Sequence, residues 1–365
     1  METEPLKEAA FGRRIVLKST LGAVAGASLA AASAQAAAAS NHGDTRKTIG
    51  KIDVHSHYLP PDYRQALINN GHSQPDGFPV LPQWSAEAHL EMMNRIGIAT
   101  SMLSITSPGV LFGEDPVAWA RRVNEYGAEL VQRHPGRFGL LATLPLPDVD
   151  AALDELAHAL DDLHADGIAM ETNFDGRYLG DPLFEPVLAE LDRRHATLFI
   201  HPTSPACFEH TSLGYPRPVL EFLLDTTRTI ADLVLGGTLD KHPNIKIIVP
   251  HCGAALPSVA DRLAGFSALF PLGGQNPGDI DVIGALRRLH YEVGAGYPFP
   301  RQLSGLLSLV EPSQLVFGTD YPFGGLPGIE RNVNALEGTN LLKKDDVRNT
   351  FRTNALSLFP NLSSR

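Results

Sequence analysis

The chain has 365 residues, of which 43% are hydrophobic and 19% are charged, and its formal net charge is −11. This composition is typical of a globular protein with a sizeable core, and the length suits two domains or one large barrel. The acidic balance and the absence of a basic cluster exclude nucleic acid as an expected partner, because phosphate binding needs clustered Lys and Arg. The chain has two cysteines, Cys207 and Cys252, and we expect each to be a buried thiol rather than half of a disulfide bridge.

The N-terminal segment has the pattern of an export signal. Arg13 and Arg14 precede an Ala- and Gly-rich apolar run that is too short and too weakly hydrophobic to span a membrane. Residues 34–36 fit the small-x-small cleavage pattern, and paired arginines are typical of the twin-arginine route. We therefore predict a twin-arginine signal peptide over 1–36, a linker over 37–50, and a periplasmic or secreted mature protein without a membrane span. An Ala-rich tail with no signal function is the alternative.

From residue 51 onward, short apolar runs alternate with longer stretches whose apolar residues have helical spacing. The strand candidates cover residues 51–57, 98–105, 137–144, 167–172, 197–202, 245–251, 289–295 and 314–320. The helix candidates cover residues 85–97, 116–136, 148–167, 181–195, about 218–241, 327–337 and 344–358. Eight strands that alternate with helices predict a closed (β/α)8 TIM barrel over residues 51–365, of α/β class. An open doubly wound sheet is the alternative, and the lack of a Gly-rich phosphate loop after the first strand weighs against it.

The first strand candidate, KIDVHSH, carries an unusual polar face. Successive side chains of a strand point to opposite faces, so Asp53, His55 and His57 share one face while Ile52 and Val54 occupy the other. Three ionisable groups on one face of a buried strand are costly unless a partner satisfies them. The sequence therefore predicts that something other than apolar packing holds this face.

Polar side chains also end three other strand candidates, and a TIM barrel gathers such ends in its active site. His201 ends the fifth strand, His251 the sixth and Asp320 the eighth. Each alone is explained by an ordinary hydrogen bond or a turn. Together they offer the imidazole nitrogens and carboxylate oxygen of a mononuclear zinc-type site. We predict His55, His57, His201 and Asp320 as metal ligands, and His251 as a nearby catalytic base or hydrogen-bond donor.

Four motifs in this order, IDVHSHYLP, FIHPT, VPHCGAALP and FGTDYPFG, resemble those of the amidohydrolase superfamily, and in particular its branch typified by aminocarboxymuconate-semialdehyde decarboxylase. Within that branch, residues 103–110, 137–148, 173–186 and 222–228 are similar to the subgroup that contains 6-methylsalicylate decarboxylase. The resemblance implies a metal-dependent, non-oxidative decarboxylase of a small phenolic carboxylic acid that needs no organic cofactor.

The resemblance also implies roles for individual residues. Asp320 would move a proton besides binding the metal, and His251 would orient water or substrate. Phe323 would line the substrate pocket. Arg262 lies where related decarboxylases bring an arginine to the substrate carboxylate, in some cases across the subunit interface of a homodimer or larger homo-oligomer. Asp261 and Arg262 are equally well explained as a surface ion pair on a helix.

Two other functions remain open at this stage. A hydrolase with the same site would open a lactone, ester or amide with an activated water, and a non-enzymatic exported protein would only bind the metal. For the enzymes, the expected cofactor is one divalent ion, Zn²⁺ first and Mn²⁺ as the alternative. The expected partner is a small-molecule aromatic carboxylate or lactone.

Overall fold

The computed structural model describes residues 50–363, so the predicted signal peptide over 1–36 and nearly all of the predicted linker lie outside the described residues. Eight strands form one sheet, and two short strands form a separate hairpin. The strands are β1 (Lys51–His57), β2 (Ile98–Ser104), β3 (Phe138–Thr143), β4 (Gly167–Glu171), β5 (Asn173–Phe174), β6 (Arg177–Tyr178), β7 (Thr197–His201), β8 (Lys246–Val249), β9 (His290–Val293) and β10 (Leu315–Phe317).

The eight-stranded sheet is parallel throughout and has the order β1-β2-β3-β4-β7-β8-β9-β10. The two outer strands, β1 and β10, meet where the chain leaves β10. There the backbone N–H groups of Thr319 and Asp320 donate to the His55 carbonyl at 3.1 and 2.8 Å, and Tyr321 forms a bridge with Ser56. The predicted (β/α)8 barrel is confirmed, with this contact closing the circle.

The helices follow the strands in chain order, and some of them have ordinary capping residues. For example, the Ser85 hydroxyl accepts from the Ala88 N–H at 3.2 Å before the second helix, and Gly97 ends that helix at φ 77°. The helices are α1 (Pro61–Asn69), α2 (Ala86–Ile96), α3 (Pro116–Arg133), α4 (Val149–Ala157), α5 (Glu185–Arg193), α6 (Phe208–Thr211), α7 (Glu221–Leu235), α8 (Thr238–Lys241), α9 (Leu256–Ser267), α10 (Val282–Leu286), α11 (Arg301–Leu307), α12 (Leu326–Glu337), α13 (Lys344–Arg348) and α14 (Asn354–Leu358).

The core has two parts. A small cluster inside the barrel contains Ile52, Val54 and Phe199, and Leu358 and Phe359 of the C-terminal segment pack against it. A larger cluster fills the space between the strands and the surrounding helices. The interior apolar cluster leaves the opposite, C-terminal end of the strands for polar side chains, as in other TIM barrels.

Three details differ from the sequence-based expectations. The single helix predicted over 148–167 is α4 followed by a π-helical turn at His158–Asp162, in which the Leu163 N–H donates to the His158 carbonyl. The helix predicted over 344–358 is likewise interrupted by a π-helical turn, at Asn349–Thr353. Cys252 is buried as expected, but Cys207 is exposed, because it precedes the short helix α6 in a surface loop. Within residues 50–363, no helix is both long and apolar enough to cross a membrane.

Candidate metal centre

Two histidines of β1 bring their Nε2 atoms close together. The Nε2 atoms of His55 and His57 are 3.2 Å apart, and both side chains are fully buried. Asp320 approaches from the segment after β10, with its Oδ1 atom 3.2 Å from His57 Nε2 and 3.6 Å from His55 Nε2. The hydrogen bonds from this segment to the His55 carbonyl place Asp320, whose φ of 57° is a strained conformation for a residue other than glycine.

His201, the last residue of β7, completes a cluster of four. One potential ligand atom from each of His55, His57, His201 and Asp320 lies within 4.8 Å of those of the other three. Three imidazole nitrogens and one carboxylate oxygen make a donor set that suits a single divalent metal ion. We call these four residues the ligand cluster.

Hydrogen bonds fix the orientation of the two β1 rings. His55 Nδ1 is 3.1 Å from Glu292 Oε2, and His57 Nδ1 is 3.1 Å from the hydroxyl oxygen of Ser104, whose own proton points to the Ser56 carbonyl. Both Nδ1 atoms therefore carry the proton, and both Nε2 atoms present lone pairs to each other. Two buried lone pairs at 3.2 Å repel unless a cation lies between them, so the residues present fit a metal ion.

The charges at three members of the cluster agree with this assignment, whereas at His55 the lowering of the pKa by burial is outweighed by the Glu292 hydrogen bond and the charge of Asp320. Burial lowers the pKa of His57 and His201, so both rings are neutral, as ligands must be. Burial would raise the pKa of Asp320, but the hydrogen bond with His57 and the nearby histidines lower it below its usual range. The same balance lowers the pKa of Glu292, where the His55 hydrogen bond outweighs burial. Neutral imidazoles beside ionised carboxylates are the protonation states that bind a divalent cation.

Asp53 supports the ligand cluster through hydrogen bonds to its neighbours. Its Oδ1 atom accepts from the backbone N–H groups of His55 and Thr319, and its Oδ2 atom accepts from the hydroxyl groups of Thr319 and Ser101. These bonds tie β1 to the segment that carries Asp320. Burial nevertheless raises the Asp53 pKa to about 7. The strict alternation expected along β1 is wrong, because the pairing with β2 shifts register between Asp53 and Ser56. Ile52 and Val54 pack in the interior cluster, whereas Asp53 bonds Ser101, whose hydroxyl group also contacts His89 of α2. The expectation that Asp53 needs a partner is met by its four hydrogen-bond donors.

His251 lies beside the ligand cluster rather than in it. Its ring centroid is 5.3 Å from that of His55, its backbone N–H donates to Glu292 Oε2 at 3.0 Å, and its Nδ1 atom has no hydrogen-bond partner among the described residues. Burial lowers its pKa to about 4, so the ring is neutral. Since His251 lines the cavity, its neutral imidazole can accept or donate a hydrogen bond to a molecule there.

A mainly apolar cavity of about 520 Å³ opens above the cluster. Phe323 lines it, with its ring centroid 5.9 Å from that of His57. Phe222, Leu223 and Ile329 are among the other apolar walls, and no Lys or Arg of residues 50–363 lines the cavity. This volume suits a small ligand with one apolar face.

The structure does not bring Arg262 to this cavity. Arg262 lies on the exposed face of α9, and its guanidinium group covers the ring of Phe266 at 4.7 Å. Sequence reasoning also missed Glu292 and Ser104, which orient the β1 histidines. The one available signal for Glu292 was a charged residue inside an otherwise apolar strand, HYEV, and its partner lies 237 residues away.

Comparison with known proteins gives a consistent result. The model of the amidohydrolase family "Amidohydro_2" matches residues 52–360. The 6-methylsalicylic acid decarboxylase acuB of Aspergillus aculeatus is 34% identical over 321 residues, which cover 86% of this chain and 96% of that protein. A crystal structure described as an amidohydrolase II has 36% identity and a TM-score of 0.80, and it covers 85% of this chain and 100% of its own. The crystal structure of 2,6-dihydroxybenzoate decarboxylase with 2,6-dihydroxybenzoate has 26% identity and a TM-score of 0.72, and covers 85% and 99%.

Proposed function

The chain belongs to the amidohydrolase family, and on that premise we propose that it is a metal-dependent decarboxylase that releases CO₂ from a small phenolic carboxylic acid without an organic cofactor. The observation that carries the proposal is the ligand cluster at the base of an apolar cavity. Relatives that cover most of the chain and are named as decarboxylases of hydroxybenzoic acids support this substrate class.

In this proposal His55, His57, His201 and Asp320 hold one divalent ion. When bound, that ion supplies Lewis-acid stabilisation of the negative charge that develops on the substrate. The apolar walls, including Phe323 and Phe222, take the aromatic ring and exclude water, which strengthens every electrostatic interaction in the cavity.

The chain's own groups handle the proton. Asp320, which lines the cavity and is ionised in the free protein, takes the proton of the substrate's phenolic hydroxyl group and passes it to the ring carbon that bears the carboxylate. The bond between that carbon and the carboxylate then breaks, its electron pair restores the aromatic ring, and CO₂ leaves. His251, which is neutral and lines the cavity, hydrogen-bonds the substrate and holds it in line with Asp320.

Product analysis tests this proposal against hydrolysis. The metal-loaded protein is incubated in D₂O with a panel of hydroxybenzoates and, separately, in ¹⁸O-labelled water with a panel of lactones, esters and amides. We expect CO₂ and one ring-bound deuterium from at least one hydroxybenzoate. Solvent ¹⁸O in a product, with no CO₂ from any hydroxybenzoate, would instead identify a hydrolase. An Asp320→Asn variant that loses turnover would exclude a protein that only binds metal.

We further propose Zn²⁺ as the ion, since a set of three histidines and one aspartate suits zinc, with Mn²⁺ as the alternative. Elemental analysis of protein purified without added metal decides between them. The ion found at close to one equivalent would be the native one.

We also propose that residues 1–36 direct export by the twin-arginine route to the periplasm or beyond, and that the mature protein is a homodimer or larger. The Arg13-Arg14 pair supports the first proposal. The proposed oligomer is supported by the exposed side chains of Phe266 and Phe270, which lie beside Arg262. Arg262 points away from its own cavity, so a neighbouring copy would have to bring it to one. Fractionation of an Arg13→Lys, Arg14→Lys double variant and light scattering of the mature protein test the two proposals.

A further inference from the structure

We propose that Glu171 is a positioning residue, which fixes the ring of His201 so that its Nε2 atom faces the metal. The inference rests on the metal-binding part of the proposed function and is independent of the reaction. Glu171 is the last residue of β4 and His201 is the last residue of β7. The two are paired directly across these neighbouring parallel strands, so their side chains emerge side by side at the end of the barrel.

The atoms that face each other are the ones left without partners. Glu171 Oε2 and His201 Nδ1 are 3.5 Å apart, slightly longer than a hydrogen bond. Both are buried, and neither has another hydrogen-bond partner among the described residues. A buried carboxylate oxygen and a buried ring nitrogen without partners are each costly, and a small shift that closes this gap satisfies both.

The other two histidines of the ligand cluster show the same arrangement. Each gives its Nδ1 proton to a fixed acceptor, Glu292 for His55 and Ser104 for His57, and so keeps Nε2 for the metal. His201 lacks such an acceptor unless Glu171 supplies it. Burial raises the pKa of Glu171 well above its usual range, but a carboxyl group has an accepting oxygen in either protonation state. An oxygen that accepts the Nδ1 proton selects the tautomer with a lone pair on Nε2.

The surroundings limit where the Glu171 carboxylate can go. The loop after β2 passes so close that a Cβ atom on Gly109 would lie 3.3 Å from Glu171 Oε1. That loop is itself held, because the Tyr63 hydroxyl donates to the Gly109 carbonyl at 2.6 Å. Gly109, at φ 64°, adopts a conformation that suits glycine, and its missing side chain makes room for the carboxylate. The carboxylate is therefore confined next to His201.

Two substitutions separate the hydrogen bond from the volume of the side chain. Glu171→Met keeps the length and removes the acceptor, whereas Glu171→Gln keeps one acceptor oxygen. Zn²⁺ affinity of the stripped protein is measured by competition with a chromophoric chelator, which needs no substrate. We expect Glu171→Met to weaken Zn²⁺ binding by about 10- to 100-fold and Glu171→Gln by less than about threefold. The visible spectrum of the Co²⁺-loaded protein, which reports ligand geometry, should change in Glu171→Met and be restored in Glu171→Gln.

Glu155→Gln is the matched control, since Glu155 is a buried glutamate that pairs with Arg121 and Asn124 on other elements. It should lower stability without changing Zn²⁺ affinity. If Glu171→Met does not fold, Glu171→Ala takes its place. Wild-type affinity in the apolar variant, or equal weakening in Met and Gln, would overturn the inference. A wild-type protein that binds no Zn²⁺, Mn²⁺ or Co²⁺ would instead overturn the proposed function.

Discussion

The base of the cavity consists of side chains from strands and strand ends, whereas its rim consists of loop residues. At the base, the ligand cluster is buried and the Nδ1 atoms of His55 and His57 have fixed partners. At the rim, loop residues on two segments line the cavity, namely Pro75, Asp76, Phe78, Pro79, Pro216, Pro218 and Val219, and Val219 is 64% exposed. The base is thus held by the barrel itself, and the rim by contacts between two loops. We therefore expect metal binding and substrate selection to depend on separate parts of the structure.

The rim loops are joined by a small polar contact. Asp76 Oδ1 accepts from the backbone N–H of Ser204 at 3.2 Å and also from its hydroxyl group. Arg217 Nε is 3.0 Å from the same hydroxyl oxygen, and its guanidinium group stacks on Phe208 at 4.4 Å. Since none of these groups touches the ligand cluster, changes at the rim should leave metal binding unaffected.

The largest expected effect follows from removing one ligand at the base. His57→Ala should fold, because the barrel core does not depend on this ring, but it should lose the metal. We expect the rate of CO₂ release to fall at least about 1000-fold, since the Lewis acid is lost. Elemental analysis and turnover of the same preparation check this prediction. A His57→Ala variant with full metal content and normal turnover would remove His57 from the ligand set.

A second substitution at the base tests the support below the ligands. Asp53→Asn replaces a carboxylate that accepts four hydrogen bonds with an amide that has one acceptor oxygen. We expect the free energy of unfolding to fall by about 2 kcal/mol, since buried donors lose their acceptor. Urea denaturation measures this change. Asp175→Asn, at an exposed position, is the control and should stay within about 0.5 kcal/mol of the wild type. Equal stability of the two variants would contradict the supporting role.

The buried His89 of α2, which contacts the base of the cavity through Ser101, should make the folded protein less stable in acid. Trp84 Nε1–H donates to His89 Nδ1 at 3.1 Å, and His89 Nε2 is 3.1 Å from the Ser101 hydroxyl that holds Asp53. Burial lowers the His89 pKa from 6.5 to about 3. Between these values the unfolded chain binds a proton that the folded chain does not, so this contribution is complete above pH 6.5 and is lost as the pH falls.

The expected size is a slope of about 1.4 kcal/mol per pH unit below pH 6.5. His89→Gln keeps a hydrogen-bond acceptor and a donor but cannot titrate, so it should lose this part of the slope. Urea denaturation of both proteins at pH 5, 6 and 7 measures the difference. Parallel curves for the two proteins would show that His89 titrates normally.

The smallest expected effect is at the rim. Arg217→Ala removes the contact with Ser204 and the stacking on Phe208, and so loosens the two loops. We expect KM to rise by about 3- to 10-fold while kcat stays within about twofold, since these loops line the cavity but carry no reacting group. Steady-state kinetics and a Zn²⁺ titration check both halves of the prediction. A loss of Zn²⁺ affinity in Arg217→Ala would contradict the separation of base and rim.

The sequence predicted the base far better than the rim, for a physical reason. All eight barrel strands were predicted, because each is an apolar run between helices. The strand ends were less accurate: the prediction for β10 ran to residue 320, yet the strand ends at Phe317, because Thr319 and Asp320 turn to bond β1 rather than continue beside β9. That departure from the ladder is what places Asp320 at the cluster, and it depends on contacts more than 260 residues apart.

The partners of the ligands were beyond sequence reasoning. Glu292 lies within a strand and Glu171 is the last residue of another. Only the contacts between strands show which histidine each glutamate faces. The contacts at the rim could not be predicted from the sequence either. The contact of Asp76 with Ser204 joins loops 128 residues apart and leaves no periodic pattern. Local patterns specify elements, whereas pairings across the barrel specify the site.

The central claim is that the ligand cluster holds a divalent ion on which decarboxylation depends. The most direct test titrates Zn²⁺ or Mn²⁺ into the chelator-stripped mature protein and measures CO₂ release from 6-methylsalicylate and other hydroxybenzoates at each step. We predict no release from the stripped protein and a rise that saturates at one equivalent of metal per chain. A rate that does not depend on metal, or no CO₂ from any of these acids at full loading, would contradict the claim.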